Sequence, residues 1–440
     1  MKKIIVAGGG LAGLSAAVFL SRENYPVTLL ESSRKLGGRA YSAPVRFIPA
    51  AGNSEIPELE IDNGQHILMG CYDYTLSFIR IIGSYQKLFI QKRLSVEYTD
   101  ERGASHTLRE RALIYPLGLL QGILSYSYLS AAQKLRLLFF LSKLPFIDPR
   151  KYDGKSVTDL LSKYRQTGKI YSGMWEPVTI GAMNSQPEKA DAGLFIRMLK
   201  QIFLRDGFSS RIIVPAVPFR ELYTADSESY IQKNGGEVIK GEGIKELLFN
   251  ENRLTVIRTD KRDISDFDTL VLAVSPFSLS KIKGMEKVFP DGLPEFEYSS
   301  ITGIHLALKE KGRREGFTGF VNSPLHWVFY KENHISCIIS DSDSLINTEP
   351  EEIYKLALKE LIERGLFKPS DFMGYKVIKE KRATFIPDSS NLSKRPVLKT
   401  PFTNLILAGD YTDTALPATI EGAVKSGVNA AEFIAGRPLI

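Results

Sequence analysis

The sequence is poor in cysteine, since Cys71 and Cys337 are the only two among its 440 residues. Two cysteines do not make a disulfide framework, so we expect the chain to fold in a reducing compartment, the cytoplasm. The five histidines and two cysteines show no metal-ligand spacing, and no G-x-S-x-G nucleophile elbow is present. These absences argue against a secreted disulfide scaffold, a metal site and a serine hydrolase of that type.

A large excess of one charge is also missing. The net charge is +7, from 57 basic and 50 acidic residues, which is too mild for a nucleic-acid-binding face but suits an anionic lipid surface. The apolar stretch at residues 112–146 is interrupted by Pro116, Gly118 and Gly122, so it is too broken to span a bilayer. It predicts an interfacial helix at the cytoplasmic membrane or, as the alternative, a core helix.

What the sequence does contain is a first strand, a glycine turn and a helix within its first 22 residues. Ile4–Ala7 is a β-branched run, and Gly8, Gly10 and Gly13 follow it as G-x-G-x-x-G. A second strand, "YPVTLLE", ends in Glu31, as a dinucleotide-binding unit requires. The turn and helix start would bind a pyrophosphate, and Glu31 would accept hydrogen bonds from the adenosine ribose.

The residues after Glu31 distinguish between dinucleotides. Gly37, Gly38 and Arg39 resemble the second flavin signature of the amine oxidase and phytoene desaturase superfamily. Two glycines let the chain turn back along the pyrophosphate, and Arg39 supplies a cation. The alternative is a surface turn beside a solvated arginine. Because the motif directly follows Glu31, the expected ribose ligand, FAD is favoured as the cofactor.

A second glycine-rich loop lies at the other end of the chain. "LILAGD" predicts a buried strand ending in Gly409 and Asp410, whose carboxylate can accept from ribityl or ribose hydroxyls. "PATIEGAVKSG" predicts a helix with Pro417 at an early position. Thr419 and Ile420 would present backbone N–H groups to the flavin ring. FAD is long enough to need both loops, so both chain ends build one domain.

The length favours two domains or one interleaved pair. We predict an α/β fold: a Rossmann-like FAD-binding domain interleaved with an α+β substrate-binding domain. The FAD-binding domain comprises residues 1–85, 206–290 and 396–440, and the substrate domain comprises residues 86–205 and 291–395.

Six segments together resemble the hydroxysqualene dehydroxylase family, squalene-associated FAD-dependent enzymes of the flavin amine oxidase and phytoene desaturase superfamily. They are "DNGQH", "LMGCYDYTLSFIRIIG", "MWEPVTIGAMN", "SSRIIVPAVPFREL", "EKRATFIP" and "GDYTDTALPATIEGAVKSG". The resemblance covers nearly the whole chain, although Tyr411 stands where that family usually has tryptophan and Ala415 where it has glycine. It implies an amine-oxidase-type fold and reductive removal of a hydroxyl from a C30 isoprenoid, giving squalene for hopanoids or related triterpenes.

The motifs and the resemblance give one set of FAD-binding residues. The set is Gly8, Gly10, Ala12, Gly13, Glu31, Ser32, Gly38, Arg39, Gly64, Gln65, Val238, Gly409, Asp410, Thr419 and Ile420. The resemblance places Val238 beside the adenine and the Asn63–His66 turn beside the flavin ring.

Removing an allylic hydroxyl needs a proton donor, a dry tunnel and negative density that stabilises the cation. His66 is a candidate acid; the alternative is that it only hydrogen-bonds its own loop. Glu176 is a second candidate if burial raises its pKa, with a helix-end salt bridge as the alternative. Asp413 is a third candidate acid; the alternative is that it only stabilises a turn. Trp175 and Trp327 are expected to pack in the core.

Three other functions compete with this prediction. An oxidative carotenoid desaturase of the phytoene type shares the flavin loops and a lipid substrate. A flavin amine oxidase is disfavoured because such enzymes commonly carry a tyrosine where this chain has Thr419. A non-enzymatic flavin- and lipid-binding protein is the third. No second dinucleotide fingerprint is visible, so NADPH and a protein donor are both open as the source of electrons.

Overall fold

The computed structural model describes residues 2–50, 56, 58–111, 114–312 and 315–440. Its strands are β1 (Ile4–Ala7), β2 (Val27–Glu31), β3 (Ser42–Val45), β4 (Ile48–Pro49), β5 (Leu59–Asp62), β6 (Leu68–Met69), β7 (Leu88–Ile90), β8 (Ser95–Thr99), β9 (Ser105–Arg109), β10 (Ile212–Pro215), β11 (Glu237–Lys240), β12 (Ile244–Asn250), β13 (Arg253–Thr259), β14 (Asp263–Ile264), β15 (Thr269–Leu272), β16 (Tyr298–Leu308), β17 (Gly316–Phe320), β18 (Trp327–Tyr330), β19 (His334–Ser340), β20 (Phe372–Phe385) and β21 (Leu405–Leu407).

The α-helices are α1 (Leu11–Arg22), α2 (Asp73–Ile81), α3 (Leu117–Ser125), α4 (Ala131–Lys143), α5 (Val157–Lys163), α6 (Glu176–Met183), α7 (Ala192–Phe203), α8 (Ala225–Lys233), α9 (Pro276–Leu279), α10 (Met285–Val288), α11 (Pro350–Glu363), α12 (Ser389–Ser393) and α13 (Ile420–Ala435). π-Helical turns at Tyr171–Trp175 and Arg220–Thr224 lead into α6 and α8.

A five-stranded parallel sheet joins the two ends of the chain. Its strand order is β11-β2-β1-β15-β21, and every neighbouring pair is parallel. All four residues of β1 are buried, which explains why this strand is a continuous run of apolar residues. Helices α1 and α13 pack against one another, and both belong to one apolar core with Leu29 and Val271. The sheet therefore holds residues from the first and last forty positions together, with only β15 between β1 and β21.

The second large sheet has eight strands in the order β4-β20-β16-β19-β18-β17-β8-β9. Its neighbours are antiparallel except for the β17–β8 pair, which is parallel. Strands β8 and β9 come from the region before α3, while β16 to β20 come from beyond residue 297. Strand β4 comes from a third stretch, within residues 1–85, so the sheet combines three separate parts of the chain. The exact domain division stays a prediction.

Helices α3 to α7 form a separate apolar core. Trp175 is fully buried there, with its ring edge-on to Phe140 and Phe195 at centroid distances of 5.3 and 6.1 Å. Trp327 contacts Tyr98 at a centroid distance of 5.8 Å, at the side of the eight-stranded sheet. Both tryptophans therefore pack as the sequence predicts.

Asn184, at the end of α6, ties this helical part to the eight-stranded sheet. It adopts a left-handed conformation, with φ 49°. Its amide donates to the Thr384 hydroxyl at 2.9 Å and accepts from the Asp341 N–H at 2.9 Å.

Candidate functional site

The first glycine loop is shaped by close packing at two positions and open space at a third. Gly8 has φ +111°, and a Cβ added to Gly13 would lie 1.8 Å from the Gly8 carbonyl oxygen, so neither tolerates a side chain. A Cβ at Gly10 would meet nothing nearer than 3.8 Å. Gly10 precedes α1, so open space lies in front of the free N–H groups of a helix start. This is the environment that a pyrophosphate requires.

Glu31 lies at the end of β2, beside that helix start. Its carboxylate accepts from the Gly9 N–H at 2.6 Å, the Ser33 N–H at 2.7 Å and the Ser32 hydroxyl at 3.2 Å. Glu31 is half-buried, so these bonds fix a carboxylate that still faces solvent. Val238 lies in the edge strand β11, pairs with Leu29 of β2 and is also half-buried. Glu31 and Val238 therefore lie on neighbouring strands, as binding one adenosine would require.

Arg39 joins the two glycine-rich loops directly. Its guanidinium donates to the Asp410 carboxylate at 2.5 Å and to the Ala383 carbonyl at 2.9 Å. Burial lowers the pKa of Arg39, but the Asp410 carboxylate outweighs it, so the net pKa is raised. The exposed Gly38 backbone lies beside Gly10. The residues that the sequence assigns to different parts of FAD therefore already contact each other.

The second loop is held by α13 and packed against α1. The Gly409 N–H donates to the Ser426 hydroxyl at 2.8 Å. A Cβ at Gly427 would lie 2.1 Å from the carbonyl oxygen of Ala12, so the two helices nearly touch there. Ala12 is buried in this contact.

The start of α13 differs from the sequence expectation. Pro417 lies before the helix rather than in it, because the extended Thr419 is the N-cap and its hydroxyl accepts from the Gly422 N–H at 3.1 Å. Ile420 is the first helical residue and is half-buried. The free N–H groups of the first turn therefore begin at the two residues that the sequence assigns to the flavin ring.

A cavity of about 170 Å³ opens beside the Arg39–Asp410 pair. Phe277, Tyr298, Glu380 and Tyr411 also line it. Burial raises the pKa of Glu380, although the Arg39 charge opposes the rise. The Tyr411 hydroxyl is buried and has no hydrogen-bond partner among the described residues. An unpaired donor at a cavity is a position where a bound polar group fits.

The Asp62–His66 turn lies against the same loops. The Asn63 amide donates to the Arg39 carbonyl at 2.9 Å, and Asp62 accepts from the Ser42 hydroxyl at 2.7 Å. A Cβ at Gly64 would meet nothing within 4 Å, and Gln65 is half-buried. The turn is thus fixed at its first two residues and open at the next.

His66 packs on Phe219, with ring centroids 5.1 Å apart. Burial lowers the pKa of His66 to about 4, so its imidazole is neutral at pH 7. A neutral imidazole can form a hydrogen bond with a substrate, but it lacks the additional proton that a general acid would give to the leaving hydroxyl.

The other two candidate acids lie in different surroundings. Glu176 begins α6 and is half-buried, and burial followed by the nearby Glu188 carboxylate raises its pKa. Asp413 is exposed and accepts from the Ala415 N–H at 3.2 Å, which is the turn-forming alternative. Neither residue lines the cavity beside Arg39. The three catalytic assignments stay predictions.

Glu421 is a residue that the sequence analysis missed. Its side chain is 5% exposed and accepts from the Tyr74 N–H at 3.0 Å, the Thr75 N–H at 2.9 Å and the Thr75 hydroxyl at 2.7 Å. Burial raises the pKa of Glu421 to about 7, while these bonds oppose the rise. Glu421 therefore caps α2 from α13, and a glutamate beside the flavin loop was the available signal.

The parallel sheet and the two glycine-rich loops define the class of protein: an FAD-dependent oxidoreductase. The chain belongs to the family of flavin containing amine oxidoreductases, whose model matches residues 11–435. The predicted cofactor, FAD, and the predicted fold class are confirmed.

The resemblance to hydroxysqualene dehydroxylases is confirmed as well. The hydroxysqualene dehydroxylase of Sinorhizobium fredii is 25% identical over 98% of each chain. That of Rhodopseudomonas palustris is 26% identical over 99% of each chain. The zeta-carotene desaturase of Zea mays is 22% identical over 99% of this chain and 83% of its own length.

Solved structures show the same fold at low sequence identity. An oxidoreductase from Methanosarcina mazei matches 98% of this chain and 100% of its own with a TM-score of 0.72 and 14% identity. Putrescine oxidase bound to putrescine matches 99% of each chain with a TM-score of 0.69 and 14% identity.

Proposed function

We propose that this oxidoreductase acts on a C30 isoprenoid and removes the hydroxyl of hydroxysqualene reductively to give squalene, in hopanoid or related triterpene synthesis. The observation that carries the proposal is the similarity to hydroxysqualene dehydroxylases along 98% or more of each chain. The open helix start at Gly10 and the joined loops around Arg39 and Asp410 support it, because they suit a flavin.

The residues of the two loops would bind the cofactor in parts. Glu31, with Ser32 beside it, would accept from the ribose, and Arg39 would balance the pyrophosphate charge. Asp410 would bind ribityl hydroxyls, and the start of α13 would face the ring. Bound FAD, when reduced, supplies the hydride that replaces the hydroxyl. The chain would supply a dry apolar site and a proton at a carboxyl oxygen, for which Glu176 is our first choice.

Product analysis under anaerobic conditions tests this proposal. Protein reduced with dithionite is incubated with hydroxysqualene, and squalene is the expected product. Chemical reduction makes the result independent of whether NADPH or a protein is the natural electron donor. Recovery of unchanged hydroxysqualene from flavin-loaded, reduced protein would refute the proposal.

An oxidative carotenoid desaturase is the second candidate, favoured by the similarity to zeta-carotene desaturases along nearly the whole chain. Oxidised protein is incubated with phytoene and with zeta-carotene in a parallel assay without dithionite. New conjugated double bonds, read from the visible spectrum of the extracted lipid, would favour this function. A flavin amine oxidase would instead oxidise an amine.

We further propose that the protein takes its substrate from a membrane surface. Large apolar side chains are exposed on and beside α3 and α4: Ile114, Leu117, Leu120, Leu124, Leu135, Phe139 and Phe146, the last being 86% exposed. We call these residues the apolar face; Ala112 and Leu113, also in the predicted segment, lie outside the described residues. Within the described residues, none of the helices combines the length and apolar character that crossing a bilayer requires. Shallow insertion of the apolar face is the expected mode.

Co-sedimentation with phosphatidylcholine vesicles tests this contact. The triple variant Leu135→Ser, Phe139→Ser, Phe146→Ser is expected to remain in the supernatant, while the wild type pellets. Val397→Ser, Phe433→Ser and Ile440→Ser form the matched control, because those side chains are also exposed but lie near the C-terminus. A wild type that stays in solution both with these vesicles and with vesicles that also contain phosphatidylglycerol would refute membrane contact.

A further inference from the structure

A groove of about 390 Å³ adjoins the apolar face and carries an unusual set of charges. Arg136, Lys163 and Arg165 line it together with Leu135, Phe139 and Tyr164. Leu135 and Phe139 belong to the apolar face itself, so the groove opens where apolar side chains would enter a bilayer.

Within the described part of the chain, none of the three cations forms an ion pair with a carboxylate, since the ion pairs found there involve other basic residues. Lys163 instead donates to the Tyr152 hydroxyl at 2.9 Å and lies 5.1 Å from the centre of that ring. Three neighbouring positive charges repel one another, so an anion in the groove would relieve that repulsion.

A buried amide fixes the groove. Gln166 is fully buried, and its amide nitrogen donates to the carbonyls of Arg136 and Tyr164, each at 3.0 Å. Its amide oxygen accepts from the Trp175 indole at 3.1 Å. The segment after α5 is thereby held against α4, so the backbone positions of Arg136 and Arg165 are fixed relative to each other. Their side chains and that of Lys163 are exposed and accessible to a ligand.

We propose that this groove binds the phosphate headgroup of an anionic phospholipid at the membrane surface. The inference rests on the membrane contact proposed above and adds the class of lipid to it. Arg136, Lys163 and Arg165 neutralise the phosphate, while the acyl chains run along Leu135 and Phe139 into the bilayer. The groove therefore makes the protein prefer anionic membranes.

Vesicle binding with a charge-neutralised variant tests the headgroup site. Arg136→Gln, Lys163→Gln, Arg165→Gln is compared with Lys245→Gln, Lys261→Gln, Lys283→Gln, which removes three exposed charges that do not line the groove. On vesicles of phosphatidylcholine with phosphatidylglycerol, we expect the groove variant to bind about tenfold or more weakly and the control to bind like wild type. On pure phosphatidylcholine, both should bind like wild type. Retained flavin absorbance and melting temperature verify that both variants fold.

Each other outcome contradicts the proposal. Equal binding of the groove variant and the control to anionic vesicles would mean that the groove has no lipid role or serves an acidic protein instead. Full displacement of wild type by millimolar inorganic phosphate at constant ionic strength would indicate a site for free phosphate. A wild type that binds neither vesicle refutes the membrane contact, whereas equal wild-type binding to both refutes the headgroup site alone.

Discussion

Single residues at the junction of the two loops connect parts of the chain that are far apart in sequence. Arg39 and Asp410 are 371 positions apart in sequence yet share a hydrogen bond. Glu421 likewise reaches across to α2, 346 positions away. The sequence predicts that these loops meet, because both carry glycine-rich strand-to-helix turns. It does not predict which side chains pair, since that depends on tertiary positions that no local pattern encodes.

Substitution of Arg39 tests its predicted contact with FAD. Arg39→Met removes a charge-assisted hydrogen-bond donor, so we expect apoprotein to bind FAD at least about tenfold more weakly, since such a bond is worth ~1.5–3 kcal/mol. Arg39→Lys keeps the charge and should lose less. Fluorescence titration of apoprotein with FAD measures both. Unchanged affinity in Arg39→Met would exclude a role for this residue in flavin binding.

Glu421 should make stability fall as pH rises. The pKa of this carboxyl is about 7 in the folded protein, chiefly through burial, against an ordinary value of 4.5. The folded state therefore keeps a proton that the unfolded state loses above pH 4.5. The stabilisation is fully present below that pH and is lost between pH 4.5 and 7, on the order of 3 kcal/mol. Urea unfolding across this range measures it, and Glu421→Gln, although less stable, should lack this component.

Substitution of the two candidate acids Glu176 and Asp413 should slow the reaction by different factors. Glu176→Gln should slow single-turnover oxidation of the reduced flavin by hydroxysqualene about 10²- to 10⁴-fold, the usual contribution of a general acid. Asp413→Asn should change it less than about threefold, because the carboxylate is exposed in a turn. Flavin absorbance after mixing reports the rate, and normal FAD binding is the control. The opposite order would transfer the role of acid to Asp413.

At the scale of elements, the sequence predicts each element of the first strand–turn–helix–strand unit. For the helical region it predicts that helices form, but not where each one begins and ends. The spacing from Gly8 to Glu31 fixes β1, α1 and β2, because Gly8 and Gly13 lie where a side chain would clash and Gly10 leaves open space before the helix. The sequence wrongly places Pro417 in the first turn of α13. The Thr419 side chain caps the helix, so the helix begins at Ile420. The parallel pairing of β17 with β8 has no local signal, because the two strands are far apart in sequence.

Helix α13 depends on Gly427 for its distance from α1. In Gly427→Ala the added methyl would overlap the Ala12 carbonyl, so we expect the helices to separate and the free energy of unfolding to fall by about 1–3 kcal/mol. Gly64→Ala is the matched control for stability, because its methyl would meet nothing within 4 Å. Thermal and urea unfolding compare the two. Equal stability of both variants would show that the α1–α13 contact is not tight.

At the scale of the whole molecule, the chain leaves the parallel sheet and returns to it. Residues between β2 and β11, and between β15 and β21, build the eight-stranded sheet and the helical region. Composition and motif order predict this interleaving, since the two flavin loops lie at opposite chain ends. The proposed membrane surface is on α3 and α4, in the first excursion, so lipid contact and flavin binding are assigned to different parts of one chain.

The packing of α13 on α1 has a consequence for truncated forms of the chain. The Leu439 carbonyl accepts a 2.7 Å hydrogen bond from Arg22 near the end of α1, so contacts with the first helix hold the last one in place. A truncation before residue 405 would remove β21 and α13 together, and the exposed face of α1 would then lack its partner helix.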